Sequence, residues 1–177
     1  MTKTIQHAAI TLLLLAAAPP ARSAEKLLLG RVRPAALPSI SEEWRKDYDA
    51  YEPAAADLET LAALEGPAVL EVYFGSWCSD SRRELPRLAK ILDRSSPPGL
   101  RVRFYGLDRT KTKPARLARR GSIERVPTLV LSAGGREIGR IVESPRSTLE
   151  HDLALLAERL PRTSRAEEGA GRPPGRR

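Results

Sequence analysis

With 177 residues the chain has room for one ordinary domain and its tails, and too few residues for two. Apolar residues at 41% and charged residues at 29% exclude a disordered or fibrous class and predict a packed core. The formal charge of +8, from 30 Lys and Arg against 22 Asp and Glu, comes with no nucleic-acid-binding motif, so nucleic acid is not an expected partner.

The first elements concern targeting. Lys3, the apolar run Ala8–Ala18 and the small residues of Ala21-Arg22-Ser23 have the order of a signal peptide, with cleavage expected after Ser23. The run is shorter than the ~20 residues that span a bilayer, so stable membrane insertion is not expected. The reading is an exported protein, periplasmic or extracellular after residues 1–23 are removed. Cys78 is the only cysteine, which leaves no intramolecular disulfide even in an oxidising compartment. Such a thiol is buried and inert, joined to another chain, or reactive.

Residues 24–38 have no periodicity and read as a linker. Ser39 and Glu42 form a capping-box pattern that opens a short helix through Tyr48, on which Trp44 and Tyr48 read as packing residues. Pro53 starts a second helix with Ala54, Leu58, Leu61 and Ala62 on one face, ended by Gly66-Pro67. Residues 39–66 are thus an N-terminal helical extension. The main domain is expected over 67–160. Val69–Phe74 reads as a buried strand, and a helix follows from Cys78 to Asp93 with Leu85, Leu88, Ala89 and Leu92 aligned. Leu100–Tyr105 alternates apolar and basic residues as a half-exposed strand does. Pro114–Arg120 is helical. Thr128–Leu131 and Glu137–Val142 flank Gly134-Gly135 as a hairpin. Ser147 and Glu150 form a second capping box, ahead of Leu149, Leu153, Leu156 and Leu160 on a last helix. Residues 161–177 are rich in Pro, Gly and Arg and read as a disordered basic tail. The order β-α-β-α-β-β-α needs a parallel crossover and an antiparallel hairpin, hence one mixed α/β sheet flanked by helices.

In that frame Trp77-Cys78-Ser79-Asp80-Ser81 stands where a strand ends and a helix begins. The pattern resembles the W-C-x-x-C motif of the thioredoxin family, with Ser81 in place of the second cysteine. Pro86 falls eight residues past Cys78, inside the helix, where that family carries a proline. Val126-Pro127-Thr128, ahead of an apolar strand, is similar to the family's cis-proline segment. The resemblance covers Ala68 to Leu160 and implies a thioredoxin-like fold with an atypical single-cysteine site. It also implies that Val126 and Pro127 lie beside Cys78 and, with Trp77, shape the substrate surface.

A thiol belongs at a helix start because the first N–H groups lack intrahelical partners and the helix dipole favours an anion there. Arg82 and Arg83 are expected to add positive charge, Asp80 to oppose it, and the Ser81 hydroxyl to reach the Cys78 sulfur. Against the family pattern, the resolving cysteine is missing, Val72 stands where the first strand carries an acid, and Glu143 or Ser144 replaces a glycine beside the groove. Glu71 and Tyr73 should face the other way from Val72. His151 reads as a surface residue; no metal site and no cofactor are expected.

Three functions fit these residues. In the first, Cys78, supported by Trp77, Ser81 and Pro127, performs monothiol thiol–disulfide exchange with protein or low-molecular-weight thiols, glutathione among them, and an outside thiol resolves the mixed disulfide. In the second, the fold is a non-catalytic binding module with a vestigial cysteine. In the third, Cys78 links a dimer.

Overall fold

A computed structural model describes residues 27–161. The expected signal peptide and all but the first residue of the basic tail lie outside the described residues. The elements are β1 (Gly30–Val32), a 3-10 segment (Pro34–Ile40), α1 (Trp44–Ala50), α2 (Ala55–Ala62), β2 (Ala68–Phe74), α3 (Ser79–Ser95), β3 (Leu100–Gly106), α4 (Ala115–Gly121), β4 (Thr128–Ala133), β5 (Arg136–Val142) and α5 (Leu149–Ala157). Five strands form one sheet in the order β1-β3-β2-β4-β5. β2 and β3 are parallel, joined by the α3 crossover; the β2–β4, β4–β5 and β1–β3 pairs are antiparallel. The expected thioredoxin-like mixed sheet is the one formed.

Strand alternation sorts the side chains onto two faces. Leu70, Val72, Phe74, Phe104, Leu129, Leu131 and Ile141 point to one face and pack with Leu85, Leu88 and Ile91 of α3 and Leu149, Leu153 and Leu156 of α5. α1 and α2 add Trp44, Leu58 and Leu61 to the same core, so the N-terminal extension thickens one side of the domain. α3 runs through Pro86, whose ring is buried in this core. On the opposite face the register aligns Arg103, Glu71, Val130 and Arg140 in one row and Arg101, Val69, Ser132 and Glu137 in the next. A smaller cluster of Tyr73, Tyr105, Leu107, Ile123, Val126 and Val130 sits at one end of that face, touched by Leu117 of α4.

Three expectations are corrected. The segment read as a linker holds β1 and part of the 3-10 segment; Gly30–Val32 pairs with Val32 opposite Phe104 and Gly30 opposite Gly106. A Cβ on Gly106 would lie 2.1 Å from the Leu28 carbonyl oxygen, so only glycine lets the incoming chain cross β3 there. Ser39 is not a helix cap: its hydroxyl donates to the Ala36 carbonyl (2.7 Å), and α1 starts later, at Trp44. At α5 the cap is Thr148, not Ser147; Thr148 Oγ1 accepts from the His151 N–H (3.4 Å). Glu150 reaches beyond that cap to the N-terminal extension, accepting from the Tyr51 hydroxyl and the Ala54 N–H.

Candidate functional site

β2 delivers the chain to a turn in which the Cys78 N–H donates to the Gly75 carbonyl (2.9 Å). Cys78 is the N-cap of α3, with an extended backbone (φ −91, ψ 128), and its carbonyl accepts the first helical hydrogen bond, from Arg82 N–H (3.1 Å). The Cys78 side chain makes no capping bond. Its Sγ donates to the Val126 carbonyl oxygen at 3.2 Å. The Val126–Pro127 peptide is cis, as the resemblance implied, and both residues are buried behind the sulfur. The thiol is free, and Cys78 as a residue is half-buried. The structure thus brings Cys78, Val126 and Pro127 together from two chain segments 48 residues apart.

Trp77 lies beside them. Its indole Nε1–H donates to the Leu107 carbonyl (2.9 Å), and its ring lies over Gly75, where a Cβ would come within 2.5 Å of ring carbon. The Arg109 guanidinium stacks on the outer side, 5.2 Å from the ring centroid. Arg109 has no signature in the sequence; the hydrogen bond from Trp77 to Leu107 holds the start of its loop beside this ring.

Ser81 is placed differently from the expectation. It is fully buried, and its Oγ accepts from the Gly75 N–H (3.2 Å), which fixes the turn ahead of Cys78. Arg82 turns back to the Ser76 carbonyl through Nε (3.1 Å). Arg83 pairs with Asp80 (3.0 Å) and Glu84 (2.7 Å) and donates to Ser144 Oγ (2.9 Å). Its pKa is raised, first by the hydrogen bond to Glu84. The charges on the first turn of α3 are therefore spent on one another and on the turns around the thiol.

Val72 is fully buried in the large core. Glu71 and Tyr73 face the other way, as alternation predicts: the Tyr73 hydroxyl donates to Glu71 (3.1 Å), and Arg103 and Tyr105 approach the same carboxylate at 3.5 Å. Where the family pattern has a glycine beside the groove, Glu143 adopts φ 62, a conformation that favours glycine. Its N–H donates to the Pro127 carbonyl (2.7 Å), and its carboxylate meets Arg125 (2.8 Å). Sequence alone left Glu143 and Ser144 undecided, because the register of the turn depends on this contact with Pro127. Among the described residues no group of His, Cys, Asp and Glu could hold a metal ion, and His151 sits on the surface against Asp57 (3.1 Å). No helix of the described residues is long and apolar enough to cross a membrane.

No family model matches the chain. In sequence it is similar to Thioredoxin-2 of Saccharomyces cerevisiae, 23% identical over 101 residues that cover 57% of this chain and 91% of that protein. Among solved structures it is similar to a Pseudomonas aeruginosa protein of unknown function, 22% identical with a TM-score of 0.48, covering 71% of this chain and 75% of that one. Mitochondrial thioredoxin 3 of Saccharomyces cerevisiae, in its oxidised form, is 22% identical with a TM-score of 0.34, covering 54% and 86%. The strand order and the place of the sulfur give the chain a thioredoxin-like fold, and in sequence it is similar to Thioredoxin-2.

Proposed function

We propose that this is an exported monothiol protein that exchanges thiols and disulfides through Cys78, with a second thiol supplied from outside. The observation that carries the reading is the free thiol of half-buried Cys78 at the start of α3, 3.2 Å from the carbonyl of Val126 in the Val126–Pro127 segment. The thiolate is the attacking species. The Val126 carbonyl accepts from the thiol before the proton leaves to solvent. The thiolate then attacks one sulfur of a substrate disulfide. A Cys78–substrate disulfide forms, the old S–S bond breaks, and the departing sulfur takes up a proton. Ser81 offers no second thiol, so an external thiolate such as glutathione attacks the substrate's sulfur and releases Cys78 as thiolate. Each step trades one S–S bond for another, and Cys78 ends as it began.

Trp77 and the Val126–Pro127 backbone supply the surface on which the substrate chain lies. Export rests on the order of residues 1–23, and sequencing the N-terminus of the mature protein tests it. The exchange reading is tested with a fluorogenic mixed disulfide in the presence of glutathione. The intact protein accelerates release, and Cys78→Ala reduces it to the uncatalysed rate.

A second reading, a binding module that does no chemistry, is favoured by Val72 and Ser81: position 72 carries no acid and position 81 no resolving thiol. Equal release by the native protein and Cys78→Ala would select it. A dimer linked through Cys78 is recognised by a doubled mass on non-reducing electrophoresis that reductant abolishes.

A further inference from the structure

The two chain segments that meet at Cys78 are joined a second time, a little farther along α3. Pairing between β2 and β4 begins with Tyr73 opposite Thr128, so Val126 and Pro127 lie just ahead of the sheet and are held by other contacts. One is the thiol itself, which donates to the Val126 carbonyl at 3.2 Å. Another is the Glu143 N–H, which donates to the Pro127 carbonyl at 2.7 Å and ties the segment to the residues after β5. Those residues are tied to α3, because Arg83 Nη2 donates to Ser144 Oγ at 2.9 Å. The contacts close a ring: from Cys78 along the start of α3 to Arg83, across to Ser144 and Glu143, on to Pro127 and Val126, and back to the sulfur.

Every nitrogen of the Arg83 guanidinium is engaged: Nη2 with Ser144, Nη1 with Asp80 (3.0 Å) and Nε with Glu84 (2.7 Å). A planar fork fixed in this way aims one N–H at Ser144, which the flexible ammonium of a lysine does not reproduce. Glu84 is the anchor. It is only 3% exposed; one carboxylate oxygen takes Arg83 Nε and lies 3.5 Å from Arg87. Its other oxygen is buried with no hydrogen-bond partner among the described residues. Leaving that oxygen unsatisfied costs stability, so packing alone gives no reason for an acid at this position. Fixing the direction of Arg83 does.

One link of the ring opens in every exchange. As Cys78 attacks a substrate disulfide its proton goes to solvent, a new S–S bond forms at Cys78, the old one breaks, and the departing sulfur takes up a proton. In the mixed disulfide the Cys78 sulfur has no proton to donate, and its bond to Val126 is gone. We propose that Arg83, directed by Glu84, is a positioning residue: through Ser144 it holds the Val126–Pro127 segment against the start of α3 while the thiol proton is absent. This deepens the exchange reading and rests on it for its purpose, but the ring belongs to the fold and has its own readout. Arg83 acts here by its shape, not as a positive charge beside the sulfur.

The test is a double-mutant cycle in the full chain, read by NMR as hydrogen exchange of the Glu143 amide, which is the link to Pro127. Cys78→Ala removes the thiol link; Arg83→Lys removes the fork and keeps the charge. Each alone should lower Glu143 protection about twofold, because the other link still holds, and the two together about thirtyfold, well beyond the roughly fourfold of independent effects. Ser144→Ala in place of Arg83→Lys should give the same pattern. Independent effects would overturn the proposal, as would native protection in Arg83→Lys on either background, which would leave Arg83 only its charge. An equal fall at the core amides of Val72 and Leu88 would mean global loosening and would overturn it too. In parallel, the native chain is given glutathione disulfide and then glutathione. Coupled loss at Glu143 with no glutathione adduct on Cys78 would uphold the ring and sink the exchange reading. An adduct that forms and is discharged, with independent losses at Glu143, would uphold the exchange reading and overturn the role of Arg83.

Discussion

On one face of the sheet, Leu70, Val72, Phe74 and Leu129 meet two long helices, with α1 and α2 packed around them. On the other, two rows that mix charged residues with Val and Ser run across the strands, and the apolar part shrinks to a cluster of Tyr73, Tyr105 and their neighbours at one end, with Leu117 packed against it. Cys78 lies at the margin of this second cluster, not in the first. The first face carries the burial that holds the domain together, at roughly 25 cal/mol per Å² of apolar surface removed from water. The second leaves backbone and charge accessible beside the thiol. Stability and chemistry are placed on opposite sides of the same strands.

Leucine truncations on the two faces offer the largest effect with which to break that comparison. Leu88 is almost fully buried in the large core, whereas Leu117 is half-buried on α4. Leu88→Ala should cost about 2–5 kcal/mol and Leu117→Ala about 1 kcal/mol, read from urea unfolding. Equal costs would mean that the second face shares the load.

A smaller effect comes from Glu150, which ties the N-terminal extension to α5 through hydrogen bonds from Tyr51 and Ala54. Glu150 is buried, and its pKa is lowered overall: burial pushes it up, but hydrogen bonds from Tyr51 and the Ala54 N–H outweigh that. The same carboxylate, after burial, pushes the Tyr51 hydroxyl pKa well above its usual value. Because the folded-state value of Glu150 lies below its unfolded one, its contribution is full above the unfolded pKa and is lost as pH falls through the folded one. Glu150→Gln should therefore destabilise by about 1–3 kcal/mol at neutral pH, and the gap to the native protein should narrow in acid. A pH-independent gap would assign the contact to packing alone.

The smallest effect concerns the turn after β5, where Glu143 meets Pro127. Glu143→Gly relieves a backbone held at φ 62 but removes an exposed pair with Arg125, two terms of opposite sign and each about 1 kcal/mol or less. The thermal midpoint should hardly move. A large drop would make that pair a structural tie of the second face.

Much of this was legible in the sequence where short periods carry the signal. Leu100–Tyr105 alternates, α3 shows its apolar stripe, and the Trp-Cys and Val-Pro pairs sit where strand meets helix and loop meets strand. What escaped depends on partners far along the chain. β1 is three residues long and is fixed only by its pairing with β3. Glu150 looked like half of a capping box, yet it bonds Tyr51, 99 residues away. Ser81 looked like a donor to the thiol because it is one helical turn on, but the Gly75 amide claims its oxygen. The Arg109–Trp77 stack needs a loop whose course no local pattern announces.

The most direct measurement exposes the folded full chain briefly to glutathione disulfide and weighs it by intact mass and peptide mapping. The account predicts a single glutathione adduct, on Cys78, that forms in the native protein and is discharged when a second thiol is added. An adduct that forms only once the protein is unfolded, or one that a second thiol fails to remove, would contradict it.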